Sequence, residues 1–130
     1  MHPRLIDIPV HRDSRGALAV VENILSIERA YFLFDIQAGA ARGGHAHKAL
    51  TQLLLVPSGS YSVIIRDDMG GTDTFTMSDP SKGLLVPPGY WREIFGFSSG
   101  GVCFVLASHS YDEDDYIRNF EDYVEWKSSH

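Results

Sequence analysis

Two histidines, His45 and His47, stand one residue apart in the stretch GAARGGHAHKALTQLLLV. On a β-strand alternate residues face the same side, so both imidazole rings can enter one cavity. Such a pair can bind a metal ion, or it can transfer protons because imidazole titrates near neutral pH. Two interior histidines satisfied by backbone groups would have the same spacing. The neighbouring Arg42 and the glycines favour a functional site.

The spacing around this pair resembles the first sequence motif of the cupins. In that motif a glycine precedes the histidine pair by five intervening residues, and a glutamate and a second glycine follow it. Here Gly39 and Gly59 occupy the two glycine positions, and Gln52 stands where the motif has its metal-binding carboxylate.

The second cupin motif places a further metal-binding histidine after Pro-x-Gly, and PPGYWRE puts Arg92 at that position. An arginine stays protonated and has no lone pair to give to a metal. With Gln52 and Arg92 at two of the four ligand positions, we expect no metal and no cofactor. Two imidazoles beside fixed cations suit the removal of a proton next to a carbonyl, with stabilisation of the resulting oxyanion.

The elements that must position these residues are short β-type runs, such as AYFLFDI, YSVIIRD, TDTFTM and VCFVLAS, separated by Gly, Ser, Asp and Pro turns. DDMGG, between YSVIIR and TDTFTM, predicts a hairpin loop. The rhythm predicts an antiparallel β-sandwich or barrel formed by a single domain over residues 1–130. The resemblance to the cupin motifs implies, more specifically, an all-β cupin jelly-roll barrel. Helix-like spacing near the end predicts a short C-terminal helix at about 112–126, capped by Asp112.

The bulk composition narrows the functional classes. A net charge of −6 argues against a nucleic-acid-binding surface. No apolar run is long enough for a membrane span, and the N-terminal stretch lacks the apolar core of a signal peptide, so we expect a cytoplasmic protein that does not contact membranes. The single cysteine, Cys103, lies in an apolar run and is interpreted as a buried reduced thiol.

Taken together, several stretches resemble the cupin-type sugar-nucleotide 3,4-ketoisomerases over nearly the whole chain. They are DSRGALAVVE, IERAYFLFDI, RGGHAHKALTQLLL, PPGYWREIFGFS and VLASHSYDEDDYIRNFEDYVEW. The resemblance implies a metal-independent isomerase that moves the carbonyl of a dTDP-linked 4-keto-6-deoxyhexose from C4 to C3, in deoxyamino-sugar biosynthesis. It also implies a homodimer with strands exchanged between subunits.

The resemblance carries the catalytic positions onto His45, His47, Tyr31 and Arg42. Many members of the family have tyrosine at two successive positions, where this chain has Tyr31 followed by Phe32, so Tyr31 is the phenol expected near the reaction.

The substrate-binding positions fall on Arg15, Arg92, Gln52 and Trp91. We expect Arg15 to contact phosphate, Gln52 to hydrogen-bond within the pocket, and Trp91 to stack on the nucleotide base. Three alternatives remain open from sequence: a dTDP-sugar 3,5-epimerase, a non-catalytic sugar-nucleotide-binding cupin, and a metal-dependent cupin.

Overall fold

A computed structural model describes residues 1–130, apart from the surroundings of Gly43. The chain forms twelve β-strands and one α-helix. Their bounds are β1 Arg4–Asp7, β2 Val10–Asp13, β3 Gly16–Ala19, β4 Arg29–Leu33, β5 Arg42–His47, β6 Gln52–Ser58, β7 Tyr61–Arg66, β8 Thr72–Met77, β9 Lys82–Val86, β10 Trp91–Phe95, β11 Val102–Ala107, β12 Tyr116–Ile117 and α1 Phe120–Ser128.

Ten of these strands form two five-stranded antiparallel sheets. One sheet has the order β1-β9-β6-β11-β4, and the other has the order β12-β5-β10-β7-β8. Consecutive strands mostly lie in different sheets, as expected when two sheets enclose a core in a jelly-roll arrangement. The predicted all-β class agrees with this architecture. The predicted hairpin is also present, because β7 pairs with β8 on either side of the DDMGG loop.

The core lies between the sheets and follows the period of two expected for strands with one buried face. In β7 the alternate residues Tyr61, Val63 and Ile65 are buried, while the residues between them are partly exposed. Leu54 of β6 and Val105 of β11 meet them from the facing sheet. This apolar cluster fixes the distance between the sheets, and it leaves one side of the interior to polar residues.

Strands β2 and β3 form a separate two-stranded sheet that pairs with neither large sheet in the described part of the chain. Its residues are largely exposed, and Leu18 retains 58% of its accessible surface. An isolated hairpin is marginally stable in water. The hairpin therefore buries little apolar surface within this chain.

The C-terminal helix begins later than the sequence pattern predicts. The side chain of Asp112 caps a single 3₁₀ turn, Glu113–Asp115, instead of an α-helix, and β12 then pairs with β5. Helix α1 begins only at Phe120, where the side chain of Asn119 accepts a hydrogen bond from the backbone of Asp122. The prediction of a helix from about 112 was wrong because strand pairing takes Tyr116 and Ile117.

In the residues that the structure describes, no helix is both long enough and apolar enough to cross a membrane.

Candidate active site

The histidine pair lies on β5, with both rings directed into the barrel as the alternation predicts. The backbone of His45 pairs with Arg92 on β10, and that of His47 pairs with Tyr116 on β12. The two ring centroids are 4.7 Å apart and the ring planes are nearly perpendicular. His45 lines the main cavity, whereas His47 is completely buried.

This cavity has a volume of about 440 Å³, which is within the range of small-molecule sites. It lies between the sheets, and its wall combines polar and apolar side chains. The lining residues are Arg29, Tyr31, Leu33, Arg42, Gly44, His45, Gln52, Arg92, Ile94, Val105, Tyr116 and Arg118. Five of the eight predicted site residues therefore line one cavity, and His47 packs against His45.

A hydrogen-bonded chain links three of these side chains across the two sheets. Arg92 Nη1 donates to Gln52 Oε1 at 2.6 Å, and Gln52 Nε2 donates to Tyr31 Oη at 3.1 Å. Arg92 Nη2 donates to the carbonyl of Tyr90. Because the amide of Gln52 donates to the phenol oxygen, the proton of Tyr31 stays free for a ligand.

Tyr31 and Phe32 face opposite sides of β4. Tyr31 faces the cavity, and Phe32 is 54% exposed on the outer face, where its ring stacks on Phe104. The departure from the usual tyrosine at position 32 therefore removes no hydroxyl from the cavity.

The cavity wall is strongly cationic although the whole chain is acidic. It contains four arginines, Arg29, Arg42, Arg92 and Arg118. Arg118 also forms a two-pronged hydrogen bond with Glu113, and Arg29 donates to the hydroxyl of Tyr116. Clustered guanidiniums of this kind recognise phosphates and stabilise developing negative charge.

Burial keeps both histidines neutral. Loss of hydration, followed by repulsion from Arg92, lowers the pKa of His45 and of His47 from 6.5 to about 2. Burial also lowers the pKa of Arg92 to about 10, so the guanidinium remains charged at neutral pH. Burial raises the pKa of Tyr31 and keeps its proton in place. The site therefore combines neutral bases with a protonated phenol and fixed cations.

One contact was not anticipated from the sequence. Asp115 Oδ2 lies 2.9 Å from Nδ1 of His47, and Asp115 is itself mostly buried. The sequence pattern predicts a helix from about 112, and this prediction gave no indication of the contact. No local pattern in YDEDDYIR indicates this contact, although Tyr116 and Arg118 of the same stretch line the cavity.

Two predicted binding residues lie elsewhere. Trp91 is 5% exposed and packs against Phe120 and Tyr123 of α1, while its indole nitrogen donates to Glu93. It does not line the cavity, so the stacking role expected for it is not supported by its position. Its backbone neighbour Arg92 faces inward, and successive strand residues face opposite sides.

Arg15 stands at the turn of the β2–β3 hairpin and pairs with Asp13, with 88% of its side chain exposed. It does not line the cavity within its own chain.

The donor set also bears on the metal question. Among the described residues, no group of three or more His, Cys, Asp or Glu side chains is arranged to hold a metal ion. Gln52 and Arg92 occupy the two remaining cupin ligand positions and bond to each other, so these positions hold an amide and a cation. These residues do not fit the usual cupin metal centre.

Comparison with known proteins identifies the family. The family described as FdtA, WxcM-like, C-terminal matches residues 1–128. A TDP-4-oxo-6-deoxy-α-D-glucose-3,4-oxoisomerase from Aneurinibacillus thermoaerophilus is 42% identical over 130 residues, covering 97% of this chain and 93% of the relative.

Two solved structures extend the similarity to the fold. A mutant of the 3,4-ketoisomerase QdtA from Thermoanaerobacterium thermosaccharolyticum, in complex with TDP-4-keto-6-deoxyglucose, is 33% identical with a TM-score of 0.94, covering 99% of this chain and 96% of that one. The TDP-quinovose 3,4-ketoisomerase WlaRB from Campylobacter jejuni is 35% identical with a TM-score of 0.89, covering 95% and 97%. The predicted barrel class and the predicted family are confirmed. The chain belongs to the FdtA, WxcM-like C-terminal family, whose relatives named here are sugar-nucleotide 3,4-ketoisomerases.

Proposed function

We propose that this protein is an isomerase that converts a dTDP-linked 4-keto-6-deoxyhexose to its 3-keto isomer. The observation that carries the proposal is a neutral imidazole, His45, facing a cationic cavity beside the protonated phenol of Tyr31. Relatives that act on TDP-linked keto sugars, at 33% to 42% identity, support this choice of substrate.

His45 is the base that removes the C3 proton. Of the two histidines it is the one that lines the cavity, and its depressed pKa leaves a lone pair available at neutral pH. Removal of that proton gives an enediolate spread over C3, C4 and their oxygens. A positioned base of this kind typically contributes about 10²–10⁴-fold to the rate.

Tyr31 and the arginines stabilise the negative charge that develops on the sugar oxygens. The free phenol proton of Tyr31 can be donated to such an oxygen, because Gln52 occupies a lone pair of the phenol oxygen and not its proton. Arg42 and Arg92 supply fixed positive charge at the cavity wall. Groups that are already oriented need no rearrangement when the charge appears.

The protons lost and gained by the sugar are equal in number, and the reaction needs no oxidant. C3 loses one proton to His45, and C4 gains one from the histidine pair. The O3 proton passes to O4 through Tyr31. The carbonyl therefore moves from C4 to C3 while the number of hydrogens on the sugar stays constant, and the reaction requires no redox cofactor.

The diphosphate is expected to contact the arginines of the outer cavity wall. Arg29 and Arg118 line the cavity and both contact Tyr116: Arg29 donates to its hydroxyl, and the guanidinium of Arg118 lies 4.2 Å from the centroid of its ring. A dinegative group can be held there by charge-assisted hydrogen bonds, although the protein as a whole carries a net charge of −6. Asp13 accepts hydrogen bonds from Nε and Nη2 of Arg15, which leaves Nη1 to donate to a phosphate.

The proposal includes a homodimer in which the β2–β3 hairpin packs on the partner subunit. The exposed apolar residues Leu18, Phe32 and Phe34, each more than half exposed, give such an interface its hydrophobic surface. Arg15 at the hairpin turn would then lie close to the cavity of the partner subunit. Sedimentation velocity should give a dimer, and deletion of the hairpin should give monomers.

Incubation with TDP-4-keto-6-deoxyglucose in deuterated water, followed by NMR, tests the reaction itself. A 3-keto product with deuterium at C4 supports the isomerase. Deuterium at both C3 and C5 without movement of the carbonyl would indicate a 3,5-epimerase. A bound but unlabelled sugar would indicate a non-catalytic binding protein. The His45→Asn, His47→Asn double variant is the control for labelling by the buffer, and elemental analysis of the purified protein tests the metal-dependent alternative.

A further inference from the structure

Asp115 makes three hydrogen bonds to the segment that contains and follows His47. Its Oδ2 lies 2.9 Å from His47 Nδ1, and its Oδ1 accepts from the backbone N–H of Ala49 at 2.7 Å. Its carbonyl accepts from the backbone N–H of Lys48 at 3.0 Å. The carboxylate is thus held from both sides, and its two oxygens have different partners.

The chemistry of these partners fixes the proton on His47. A neutral imidazole has one N–H, and a carboxylate can only accept hydrogen bonds. The N–H of His47 must therefore be at Nδ1, where it donates to Asp115, and the lone pair must be at Nε2. That Nε2 is buried and has no hydrogen-bond partner among the described residues. The atom left without a partner is the one able to accept a proton.

We propose that Asp115 is a positioning residue that holds His47 in the Nδ1–H form, so that Nε2 is the nitrogen of His47 that exchanges protons within the histidine pair while His45 removes the C3 proton. Its effect on turnover rests on the function proposed above, whereas its effect on the tautomer does not. A purely structural role is the competing explanation, because the same contacts also tie the 3₁₀ turn to the end of β5.

Substitution of Asp115 by asparagine separates these two roles. The Ala49 N–H can only donate, so it must keep facing the oxygen of the new amide. The amide nitrogen must then face His47 Nδ1, to which it can only donate. Asp115→Asn therefore keeps both side-chain hydrogen bonds with nearly the same geometry, and it forces the His47 proton from Nδ1 to Nε2. A structural role predicts little change, and a positioning role predicts an inverted tautomer.

The experiment combines the nitrogen-15 NMR spectrum of the imidazoles with steady-state kinetics. In the wild type, His47 Nδ1 should give the signal of a protonated ring nitrogen. In Asp115→Asn that signal should move to Nε2, and kcat should fall by roughly 10²-fold with little change in KM. Asp114→Asn is the matched control: it makes the same change one residue earlier on the exposed side of the turn, and it should behave as wild type.

Several results would overturn the inference. The first is a wild-type His47 that carries its proton on Nε2, which can be measured even if the variant fails to fold. The second is a folded Asp115→Asn protein with an unchanged tautomer, or with the tautomer inverted but kcat within twofold of wild type. If the wild type does not isomerise the sugar at all, the proposed function fails, and the NMR result alone then decides whether Asp115 sets the His47 tautomer.

Discussion

Replacement of Gln52 by glutamate would reverse one hydrogen bond in the cavity without changing the shape of the side chain. Gln52 Nε2 now donates to Tyr31 Oη at 3.1 Å, which leaves the phenol proton free. A carboxylate at this position could only accept a hydrogen bond, so the hydroxyl of Tyr31 would donate its proton to that carboxylate. Arg92, 1% exposed, would keep an acceptor at the position of Gln52 Oε1.

The expected loss of turnover follows from the bond that Tyr31 would have to break before it could donate to the substrate. Breaking a hydrogen bond to a charged group costs about 1.5–3 kcal/mol, which corresponds to a roughly 10- to 150-fold lower kcat. Since Arg92 retains its partner, we expect the Tm to stay within about 5 °C of wild type.

The assay measures the rate of 3-keto sugar formation by NMR together with thermal unfolding. Gln37→Glu, on the exposed loop that follows β4, makes the same chemical change outside the cavity and controls for the added charge. The reasoning about Tyr31 would be refuted by a Gln52→Glu enzyme that folds normally and turns over within threefold of wild type. An equal loss in the Gln37→Glu control would also refute it.

Three further outcomes are expected. His45→Asn and His47→Asn should each lower kcat by about 10²–10⁴-fold with the fold retained by circular dichroism, while His109→Asn at an exposed site should not; full activity in both single variants would contradict the acid–base assignment. Stability should fall as the pH drops below 6.5, because the unfolded chain then takes up protons that the folded chain, with both histidine pKa values at about 2, does not. The loss should be roughly 1–2 kcal/mol for each histidine between pH 7 and pH 5. Urea unfolding should show this slope in the wild type and a flatter one in the double asparagine variant; equal slopes would contradict the burial argument. Arg15→Ala should weaken TDP binding in calorimetry more than Arg12→Ala on the same hairpin, and equal affinities would argue against a phosphate contact at Arg15.

Much of this site could be predicted from sequence because strand periodicity fixes which side a residue faces. The spacing of His45 and His47 put both rings on one side, and the structure confirms that side to be the interior. The same period also argues against Trp91 as a cavity residue. It immediately precedes the inward-facing Arg92, so it must face the other side of β10, where α1 covers it.

Other features depend on contacts between distant parts of the chain and could not be predicted from local pattern. The helical spacing of Tyr116 and Ile117 is overridden because their backbones complete the edge of a sheet at β5. The same pairing brings Asp115 to His47, and no local property of an acidic run indicates such a partner.

The docking of β12 against β5 determines when the site is completed during folding. His47 and Asp115 are separated by 68 positions along the chain, and the wall formed by Tyr116 and Arg118 comes from the same late segment. During synthesis the barrel strands emerge from the ribosome before this segment, and contacts of such long sequence separation form slowly. A nascent chain with its other strands already paired would therefore lack the Asp115 contact and the Tyr116 and Arg118 part of the cavity wall until this segment docks.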